Sequence, residues 1–332
     1  MPLQTPLRSV SITGTGSYVP ERVLSNADLE KMVETSNEWI VTRTGIRERR
    51  IAAENQNTSD LSVEAAKKAM EQAGVTALDL DLIIVATVTP DTFFPATACW
   101  VQKKLGAKNA AAFDLSAACS GFLYAVETAR QFIGSGTYET VLVIGADKLS
   151  SCIDWTDRNT CVLFGDGAGA AILQHRPGSR GILITKMGSD GNFSDILIMP
   201  GGGSACPVTP ENFDKKLNTI KMLGKETYKQ AVIAMTGAAI DVLDACGLTA
   251  AEIKCVIPHQ ANVRIIEAIA DRLKLPMDQF FVNLDLYGNT SAAAVAIALD
   301  EANRSGRFQR GDNLLLVVFG GGLTWAGAVI EW

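Results

Sequence analysis

The amino-acid sequence predicts an α/β fold assembled from two similar halves. Short apolar runs of strand length alternate with alanine-rich helical patterns along the chain, and such alternation is typical of layered α/β proteins. The runs are apolar at nearly every position, as expected for strands in a sheet that is covered on both faces. A third observation is an internal repeat, because equivalent segments recur roughly 170 residues apart and indicate a duplicated unit.

Three apolar runs are predicted to be central strands, and four periodic segments are predicted to be helices. The strands cover residues 81–86, 141–146 and 314–318, and the helices cover 59–74, 121–134, 225–247 and 291–305. The apolar stretch 314–330 is interrupted by three glycines, so we predict two strands joined by a glycine turn. Residues 188–224 are rich in glycine and proline, and a loop of this length is usually functional or flexible.

The repeat determines the predicted domain organisation. The strand at 82–86 matches 254–258, the turn at 116–121 matches 287–292, and the strand at 141–146 matches 314–319. A turn-like segment at 176–179 separates the two copies. We therefore predict an N-terminal half over residues 1–177 and a C-terminal half over residues 178–332.

The composition excludes several classes of protein. The chain has 332 residues, of which 47% are hydrophobic and 20% charged, and this balance is incompatible with a disordered chain. The net charge of −6 argues against extensive binding to nucleic acid or to an anionic membrane. No apolar run reaches the roughly 18–20 residues that a membrane span needs, and the N-terminus has no apolar signal segment. We therefore expect a soluble, cytoplasmic protein.

The cysteines and histidines argue against disulfides and metal sites. The chain has seven cysteines, an odd number, and no C-x-x-C spacing, so we expect free thiols. Its two histidines, His175 and His259, do not form an H-E-x-x-H zinc-peptidase motif, and so small a number argues against a structural zinc site. We interpret His175 as a solvated turn residue and expect no bound metal.

Cys119 is the candidate nucleophile. It lies in a run of small residues between a strand-like segment at 113–115 and a helical pattern that starts at 121. A thiol at a helix N-terminus is expected to ionise more easily, because the helix dipole and the free backbone N–H groups favour the thiolate. The alternative interpretation is a small buried cysteine with no chemical role, which is the commoner case.

Two further residues follow predicted strands and are candidates for the same site. His259 comes directly after an apolar strand, at the edge of the sheet where α/β sites are commonly built. Its alternative role is that of a core histidine held by hydrogen bonds. Asn289 occupies the repeat position that we match to Cys119, and its alternative role is that of a turn or N-cap residue. If both are functional, Cys119 and Asn289 face each other across a pseudo-twofold axis with His259 nearby.

Glycine-rich and basic segments complete the set of candidates. The three glycines at 320–322 expose backbone N–H groups that suit an oxyanion hole, although a plain hairpin turn would also use them. Two other glycine patterns, at 14–16 and 165–169, lack the context of a nucleotide site and predict tight packing. Arginines beside Trp39 indicate either phosphate binding with stacking of an aromatic base on the indole, or a solvated surface. These arginines are Arg43, Arg47, Arg49 and Arg50.

Together these motifs resemble the β-ketoacyl-acyl-carrier-protein synthase III family, the initiating condensing enzymes of type II fatty acid synthesis in the thiolase superfamily. The resemblance spans the whole chain and depends on the segments 14–20, 39–49, 117–121, 164–169, 258–262, 288–291 and 319–322. It implies a thiolase-like five-layered αβαβα fold from two similar halves, and it implies a homodimer.

The resemblance also implies roles for individual residues. It implies a catalytic group of Cys119, His259 and Asn289, and an oxyanion hole formed by backbone N–H groups of Cys119 and Gly321. The implied coenzyme A site contains Trp39, Arg43, Arg158 and Asn262. The implied acyl pocket contains Phe94, Phe164 and Phe319, and a basic patch of Lys229, Arg264 and Arg272 is implied to meet the carrier protein.

The implied reaction is a decarboxylative Claisen condensation of a short acyl-CoA with malonyl-acyl-carrier protein through an acyl-Cys119 intermediate. A bulky residue at Phe94 favours acetyl-CoA as the primer. The implied chemistry needs no metal ion or redox cofactor, because the coenzyme A thioester is itself a substrate.

The sequence departs from the family pattern at two positions and leaves alternatives open. Asp271 stands where a basic residue is common, and Asn159 stands where a glycine is common. One alternative is a related acyltransferase that uses a longer or branched acyl-CoA primer or a secondary-metabolite acceptor. Another is an acyl-CoA-binding protein without catalysis. A thiolase is disfavoured, because it would need a second cysteine at Asn289.

Overall fold

The structure, a computed structural model, describes residues 7–332 of the chain. The strands are β1 (Val10–Tyr18), β2 (Arg22–Ser25), β3 (Glu48–Ile51), β4 (Leu82–Ala86), β5 (Ala111–Leu115), β6 (Thr140–Lys148), β7 (Asp166–His175), β8 (Ile182–Ser189), β9 (Leu197–Ile198), β10 (Lys221–Met222), β11 (Ile253–Pro258), β12 (Asn313–Gly320) and β13 (Thr324–Glu331). The helices are α1 (Asn26–Leu29), α2 (Asn37–Thr44), α3 (Thr58–Ala73), α4 (Thr97–Leu105), α5 (Gly121–Gly134), α6 (Gly224–Cys246), α7 (Val263–Leu273), α8 (Leu284–Tyr287) and α9 (Ala293–Arg304).

Two mixed sheets contain most of the strands and share one topology. The first sheet has the strand order β1-β7-β6-β4-β5, and the second has β8-β13-β12-β11. In each sheet the first two pairings are antiparallel and the next is parallel. A parallel bridge between Val256 and Phe280 occupies the place in the second sheet that β5 holds in the first. The two halves are therefore similar in strand order and in strand direction.

The elements stack in five layers, which confirms the predicted αβαβα fold. Helices α3 and α4 cover the outer face of the first sheet, and α6 and α7 cover that of the second. Helices α5 and α9 lie between the sheets and contact both. Because both sheets are covered on both faces, their central strands are apolar throughout. In β4, Leu82 and Ile84 face the middle layer, whereas Ile83 and Val85 face the outer helices α3 and α4.

The predicted central elements agree with the structure to within a few residues. The three predicted strands correspond to β4, β6 and β12, and the four predicted helices correspond to α3, α5, α6 and α9. The proposed boundary at residues 177/178 falls in the turn between β7 and β8. The predicted irregular stretch 188–224 runs from the end of β8 to the start of α6, and the segment between these two elements forms the paired dipeptide strands β9 and β10 and short 3-10 turns.

The structure corrects the alignment of the two halves around Asn289. Ala118 and Ser291 are both non-glycine residues with positive φ, at 48° and 54°, and each lies just before a middle-layer helix. This shared backbone feature matches Ala118 to Ser291, and therefore Cys119 to Ala292 rather than to Asn289. Asn289 lies three residues earlier, in the turn that leads into α9.

Two glycine patterns are confirmed as packing features. A Cβ on Gly14 would lie 2.3 Å from the backbone oxygen of Ala69, and a Cβ on Gly16 would lie 2.3 Å from that of Ala65. These glycines therefore let β1 approach α3 closely. A Cβ on Gly169 would lie 2.5 Å from Cβ of Ala296 in α9. These glycines therefore bring helices against the first sheet.

Two polar residues differ from their predicted roles. Arg49 is fully buried, and its guanidinium donates to the backbone oxygens of Leu24 and Val162 rather than facing a phosphate. His175 is part of β7, where its Nδ1 lies 2.7 Å from the backbone oxygen of Ser9. Across residues 7–332, no helix is long and apolar enough to cross a membrane.

Candidate active site

The backbone around Cys119 is positioned by both halves of the fold. The chain leaves β5, makes a short turn over Ala118–Ser120 and enters α5, with Cys119 only 7% exposed. From the second half, the hydroxyl of Thr324 donates to the backbone oxygen of Ala117 at 2.8 Å. A Cβ on Gly320 would lie 2.6 Å from the backbone nitrogen of Cys119, so this close approach requires glycine.

Burial controls the charge state of the Cys119 thiol. Desolvation raises the pKa of Cys119 from 9.0 to about 12, hydrogen bonds from Ser291 and Asn289 lower it, and the nearby charge of Asp147 raises it. Burial of Cys119 therefore opposes the thiolate that the helix N-terminus is predicted to favour.

His259 is a buried, neutral imidazole. It directly follows β11, and its backbone N–H donates to the oxygen of Val317 at 2.8 Å. Its side-chain Nδ1 is buried without a hydrogen-bond partner, which leaves Nε2 as the ring nitrogen able to meet a ligand. Desolvation lowers the pKa of His259 from 6.5 to about 4. The side chain can therefore donate one hydrogen bond at neutral pH without carrying a charge.

Asn289 is held by its own backbone and by its side-chain oxygen. Its N–H donates to the oxygen of Leu163 at 2.8 Å, and its own oxygen accepts from Gly165 at 3.0 Å. Its Oδ1 accepts from the backbone N–H of Ser291 at 2.9 Å. With Oδ1 engaged in this way, the Nδ2 group is the part of the amide that is free to donate.

The structure brings the three predicted catalytic residues to one cavity. Cys119, His259 and Asn289 all line a small cavity of about 90 Å³, together with the aromatic side chains of Phe164 and Phe319. Phe164 and Asn289 are also joined by a backbone bridge. A nucleophilic thiol, a neutral imidazole and a free amide donor therefore converge on one enclosed space.

A larger cleft adjoins this cavity and contains most of the predicted coenzyme A residues. The cleft has a volume of about 1030 Å³ and is lined by Trp39, Arg43, Asn159, Asn262 and Arg264. The small cavity and the cleft share wall residues, which makes them neighbours. These shared residues are Leu163, Met222, Gly224, Tyr228 and Asn262.

The arginines predicted to bind coenzyme A lie against the indole of Trp39. The guanidinium of Arg43 is 4.6 Å from the ring centroid, and that of Arg158 is 5.3 Å away. Arg158 also donates to the backbone oxygen of Glu34 at 2.9 Å. Asn262 caps α7 by accepting from the N–H of Arg264. The cleft thus offers an aromatic surface with cations beside it, which suits an aromatic base and phosphates.

A second cavity lies on another side of Cys119 and is mostly apolar. It has a volume of about 200 Å³, and Phe164, Ser291 and Gly321 line it together with Cys119. Much of its wall comes from the irregular stretch 188–224 and from the turn after β6. These wall residues are Leu149, Cys152, Leu197, Ile198, Met199 and Ile220.

Phe94 is not part of the pocket formed by its own chain, which corrects its predicted position. Its side chain is 86% exposed, as is the neighbouring Phe93 at 85%, and Phe94 lines neither cavity beside Cys119. Both phenylalanines lie in the segment that connects β4 to α4. Phe164 and Phe319, by contrast, are buried next to Cys119.

The predicted carrier-protein residues lie on the outer layer of the second half. Lys229 is on α6, Arg264 and Arg272 are on α7, and all three are exposed. The guanidinium of Arg264 lies 5.8 Å from the ring centroid of Tyr228 and also borders the cleft. Arg264 is therefore the one of the three that connects the surface with the candidate site.

Sequence reasoning missed two residues beside the nucleophile. Asp147 is a charged residue at the end of the apolar strand β6, and this position could have marked it. Ser291 belongs to the same short motif as Asn289, but only its backbone turn places its hydroxyl near Cys119.

Fold and site together define a condensing enzyme of the thiolase superfamily, which is an acyltransferase. Models of the 3-oxoacyl-acyl-carrier-protein synthase III family match residues 113–191 and, for its C-terminal part, residues 243–332. A relative from Caldanaerobacter subterraneus subsp. tengcongensis, named β-ketoacyl-acyl-carrier-protein synthase III, is 59% identical over 98% of both chains. The chain therefore belongs to the β-ketoacyl-acyl-carrier-protein synthase III family, as the resemblance predicted.

Solved structures agree with this assignment. The 3-oxoacyl-acyl-carrier-protein synthase III of Aquifex aeolicus VF5 is 48% identical, with a TM-score of 0.91 over 98% of this chain and all of the other. The priming β-ketosynthase of the R1128 polyketide biosynthetic pathway is 37% identical, with the same TM-score over 99% of this chain and 98% of the other.

Proposed function

We propose that this protein initiates fatty acid synthesis by condensing a short acyl-CoA with malonyl-acyl-carrier protein. The convergence of Cys119, His259 and Asn289 on one cavity, between a long cleft and an apolar pocket, is the observation that supports this most strongly. The cleft at Trp39 suits the adenine and phosphates of coenzyme A, with Asn262 on the path to Cys119. The apolar pocket suits the acyl group.

In the first half-reaction, the Cys119 sulfur attacks the thioester carbon of the acyl-CoA. The backbone N–H groups of Cys119 and Gly321 stabilise the oxyanion. The sulfur–carbon bond to coenzyme A breaks, and the proton of the Cys119 thiol ends on the departing coenzyme A sulfur. The products are acyl-Cys119 and free coenzyme A.

In the second half-reaction, malonyl-acyl-carrier protein loses carbon dioxide and leaves its electron pair as an enolate. The enolate oxygen accepts hydrogen bonds from His259 and from Nδ2 of Asn289. The enolate carbon attacks acyl-Cys119, a carbon–carbon bond forms, and the Cys119 sulfur leaves and takes up a proton. No electrons pass to or from an external acceptor, so neither half-reaction calls for a redox cofactor, and the hydrogen-bond donors named above stabilise the oxyanion and the enolate.

We further propose that the protein acts as a homodimer with acetyl-CoA as primer. Exposed Phe93 and Phe94 form an apolar surface that a second copy can cover. Phe94 lines neither cavity beside its own Cys119, so it would cap an acyl pocket by entering that of another copy. Such a cap would restrict a pocket of about 200 Å³ to short acyl groups.

A second candidate function is priming with a longer or branched acyl-CoA, or condensation toward a secondary-metabolite acceptor. The volume of about 200 Å³ and the mostly apolar wall of the pocket beside Cys119 favour it. The similarity to a priming β-ketosynthase of a polyketide pathway agrees with this alternative.

Separate assays of the two half-reactions test the proposal. Cys119→Ala is expected to abolish acyl transfer, whereas Cys152→Ala, a change at another buried thiol on the pocket wall, should retain it. His259→Ala and Asn289→Ala are expected to slow decarboxylation by roughly 10²–10³-fold, the usual cost of removing one oxyanion donor, and to slow acylation less. Acyl transfer by Cys119→Ala would refute the nucleophile. Equal loss of both half-reactions in the other two variants would refute their assigned roles.

A further inference from the structure

A network of hydrogen bonds joins the turn that carries His259 to the turn that carries Asn289, and the proposed reaction does not use it. At its centre is Glu301, a half-buried residue of α9. Its Oε2 accepts from Nδ2 of Asn283 at 2.8 Å, and its Oε1 accepts from the hydroxyl of Tyr287. The two oxygens of one carboxylate therefore connect two different segments of the second half.

The first arm of this network holds the turn that carries His259. The backbone N–H of Asn283 donates to Oε1 of Gln260 at 3.0 Å. Nε2 of Gln260 donates to the backbone oxygens of Pro258 at 2.8 Å and of Phe281 at 3.0 Å. Gln260 is only 1% exposed, so its amide is shielded from competing water. The residues on both sides of His259 are thereby fixed to the segment that contains Asn283.

The second arm holds the turn that carries Asn289. Tyr287 is the last residue of α8 and lies two positions before Asn289. The residue between them, Gly288, has a φ of 63°, and a Cβ there would lie 2.6 Å from the backbone oxygen of Leu163. The same oxygen accepts from the N–H of Asn289 at 2.8 Å. The hydrogen bond from Tyr287 to Glu301 therefore anchors the start of a short, closely packed turn that ends at Asn289.

We propose that Glu301 is a positioning residue for the decarboxylation step. Through Asn283 and Tyr287, its carboxylate holds the two turns in a fixed relation to each other. His259 and Asn289 can then donate to the same enolate oxygen. A carboxylate suits this place, because each of its oxygens accepts hydrogen bonds and one group can take a donor from each turn. Donors that are fixed before the negative charge develops stabilise it without reorganisation during the reaction.

This inference rests on the proposed function, because it takes His259 and Asn289 as the donors to the enolate. Its test measures the two half-reactions separately. Acylation is followed as the mass of acetyl-Cys119 after addition of acetyl-CoA. Decarboxylation is followed as carbon dioxide released from malonyl-acyl-carrier protein. Acylation depends on Cys119 and the oxyanion hole, which the network does not contact, so the two rates should respond differently.

Glu301→Ala removes both acceptors of the network at once. We expect decarboxylation to slow roughly ten-fold, between the effect of one lost hydrogen bond and that of a displaced catalytic group, and acylation to slow by about two-fold at most. Glu301→Gln should recover most of the rate. Its side-chain oxygen can accept from Asn283, and its amide N–H can donate to the hydroxyl oxygen of Tyr287.

Asp300→Asn is the matched control. Asp300 precedes Glu301 in α9 and is also an acceptor of two hydrogen bonds from another element. Its donors, however, are the hydroxyls of Thr15 at 2.8 Å and Ser17 at 2.7 Å, both in β1. The change should therefore leave the ratio of the two half-reaction rates as it is in the wild type.

A double-mutant cycle separates positioning from a general loss of structure. Tyr287→Phe detaches only the arm that leads to Asn289, and it should slow decarboxylation about three-fold, the effect of one hydrogen bond. In the Asn289→Ala background the same change should have little effect, because the donor that it displaces is absent. This cycle decides the question if Glu301→Ala does not fold.

Slower decarboxylation with nearly normal acylation in Glu301→Ala, recovery in Glu301→Gln, and a smaller effect of Tyr287→Phe in the Asn289→Ala background support the inference. Equal slowing of both half-reactions, the same change of ratio in Asp300→Asn, or an equal effect of Tyr287→Phe in both backgrounds overturns it. A wild type that releases no carbon dioxide refutes the proposed function together with the inference. An active wild type with unaffected Glu301 and Tyr287 variants refutes the inference alone.

Discussion

Cys119 and His259 are both buried, and burial favours the neutral form of each. Desolvation raises the pKa of the thiol and lowers the pKa of the imidazole. The resting site therefore contains no thiolate–imidazolium pair. A neutral imidazole suits the second half-reaction, because it donates a hydrogen bond to the enolate without adding a positive charge that must be desolvated.

The lowered pKa of His259 predicts a pH-dependent part of the stability. The imidazole is neutral in the folded protein above about pH 4, whereas it has an ordinary pKa of 6.5 when unfolded. As the pH falls from about 6.5 to 4, the unfolded state binds the proton and the folded state does not, so stability is lost. Between pH 7 and 5 this loss is about 2 kcal/mol.

Denaturant unfolding of the wild type and of His259→Gln at pH 7 and pH 5 measures this contribution. The wild type should lose about 2 kcal/mol more than the variant over this interval. The variant is the control for the wild type, because the two proteins share every titrating group except His259. An equal loss in the two proteins would contradict a buried, neutral His259.

At the scale of residues, the sequence could predict the site only in part. Cys119, His259 and Asn289 each follow a strand, and strand ends collect at one edge of a sheet, so their proximity was predictable. The raised pKa of Cys119 was not predictable, because it results from burial, and burial depends on the residues of the second half that pack against Cys119. The exposure of Phe94 and the buried hydrogen bonds of Asp147 were not predictable either, because both depend on contacts between residues distant in sequence.

At the scale of elements, glycines determine how closely helices approach the first sheet. Gly169 in β7 lies against Ala296 of α9, the helix that follows Asn289 and Ser291. Gly14 and Gly16 in β1 lie equally close to the backbone of α3. The position of the candidate site therefore depends on close packing of β7 against α9.

The substitution Gly169→Ala tests this packing. Its Cβ would lie 2.5 Å from Cβ of Ala296 and 2.7 Å from the carbonyl carbon of the same residue. We expect a loss of about 1–3 kcal/mol in the free energy of unfolding, the usual cost of overpacking, together with slower acyl transfer. Unfolding in denaturant and the acylation assay measure the two effects.

Gly237→Ala is the matched control for this prediction. Gly237 is an exposed residue in the interior of α6, and a Cβ there would meet no atom within 4 Å. The substitution should stabilise the protein by about 0.5–1 kcal/mol, because alanine is the better helix former. Equal effects of the two substitutions would show that backbone preference, rather than packing against α9, determines the result.

Strands and helices were predictable where the apolar pattern in the sequence reflects the faces that are buried in the fold. Central strands such as β4 and β12 are apolar throughout because helices cover both faces of each sheet. Short elements were not predictable, since β9 and β10 each consist of two residues that pair only with each other. The repeat was misaligned at Asn289 because the equivalent positions share a backbone conformation and not a residue type. Ala118 and Ser291 both have a positive φ, but one is an alanine and the other a serine.

At the scale of the whole molecule, both halves are needed to build one site. Cys119 comes from the first half, whereas His259, Asn289 and the glycines at 320–322 come from the second. The alternation of strands and helices predicted a layered α/β fold, the repeat predicted two similar halves, and the family resemblance implied the five layers. A single chain leaves the side chains of Phe93 and Phe94 exposed.

Phe94→Thr tests whether a second copy completes the acyl pocket. If Phe94 of one copy caps the pocket of another, the smaller residue should admit longer primers, measured as initial rates with acetyl-, butyryl- and hexanoyl-CoA. Phe213→Thr is the control, because Phe213 is also exposed, at 63%, but lies on the irregular stretch 188–224. An unchanged primer profile in Phe94→Thr, or a wild-type protein that sediments as a monomer, would contradict the cap.

The most direct measurement of the proposed function is intact-mass spectrometry after two successive additions. The protein is mixed first with a panel of acyl-CoAs and then with malonyl-acyl-carrier protein. We predict an acetyl adduct located on Cys119, which malonyl-acyl-carrier protein then discharges as acetoacetyl-carrier protein. An adduct formed only from longer or branched acyl-CoAs would support the second candidate function. No adduct from any acyl-CoA, or an adduct on another residue, would contradict the account.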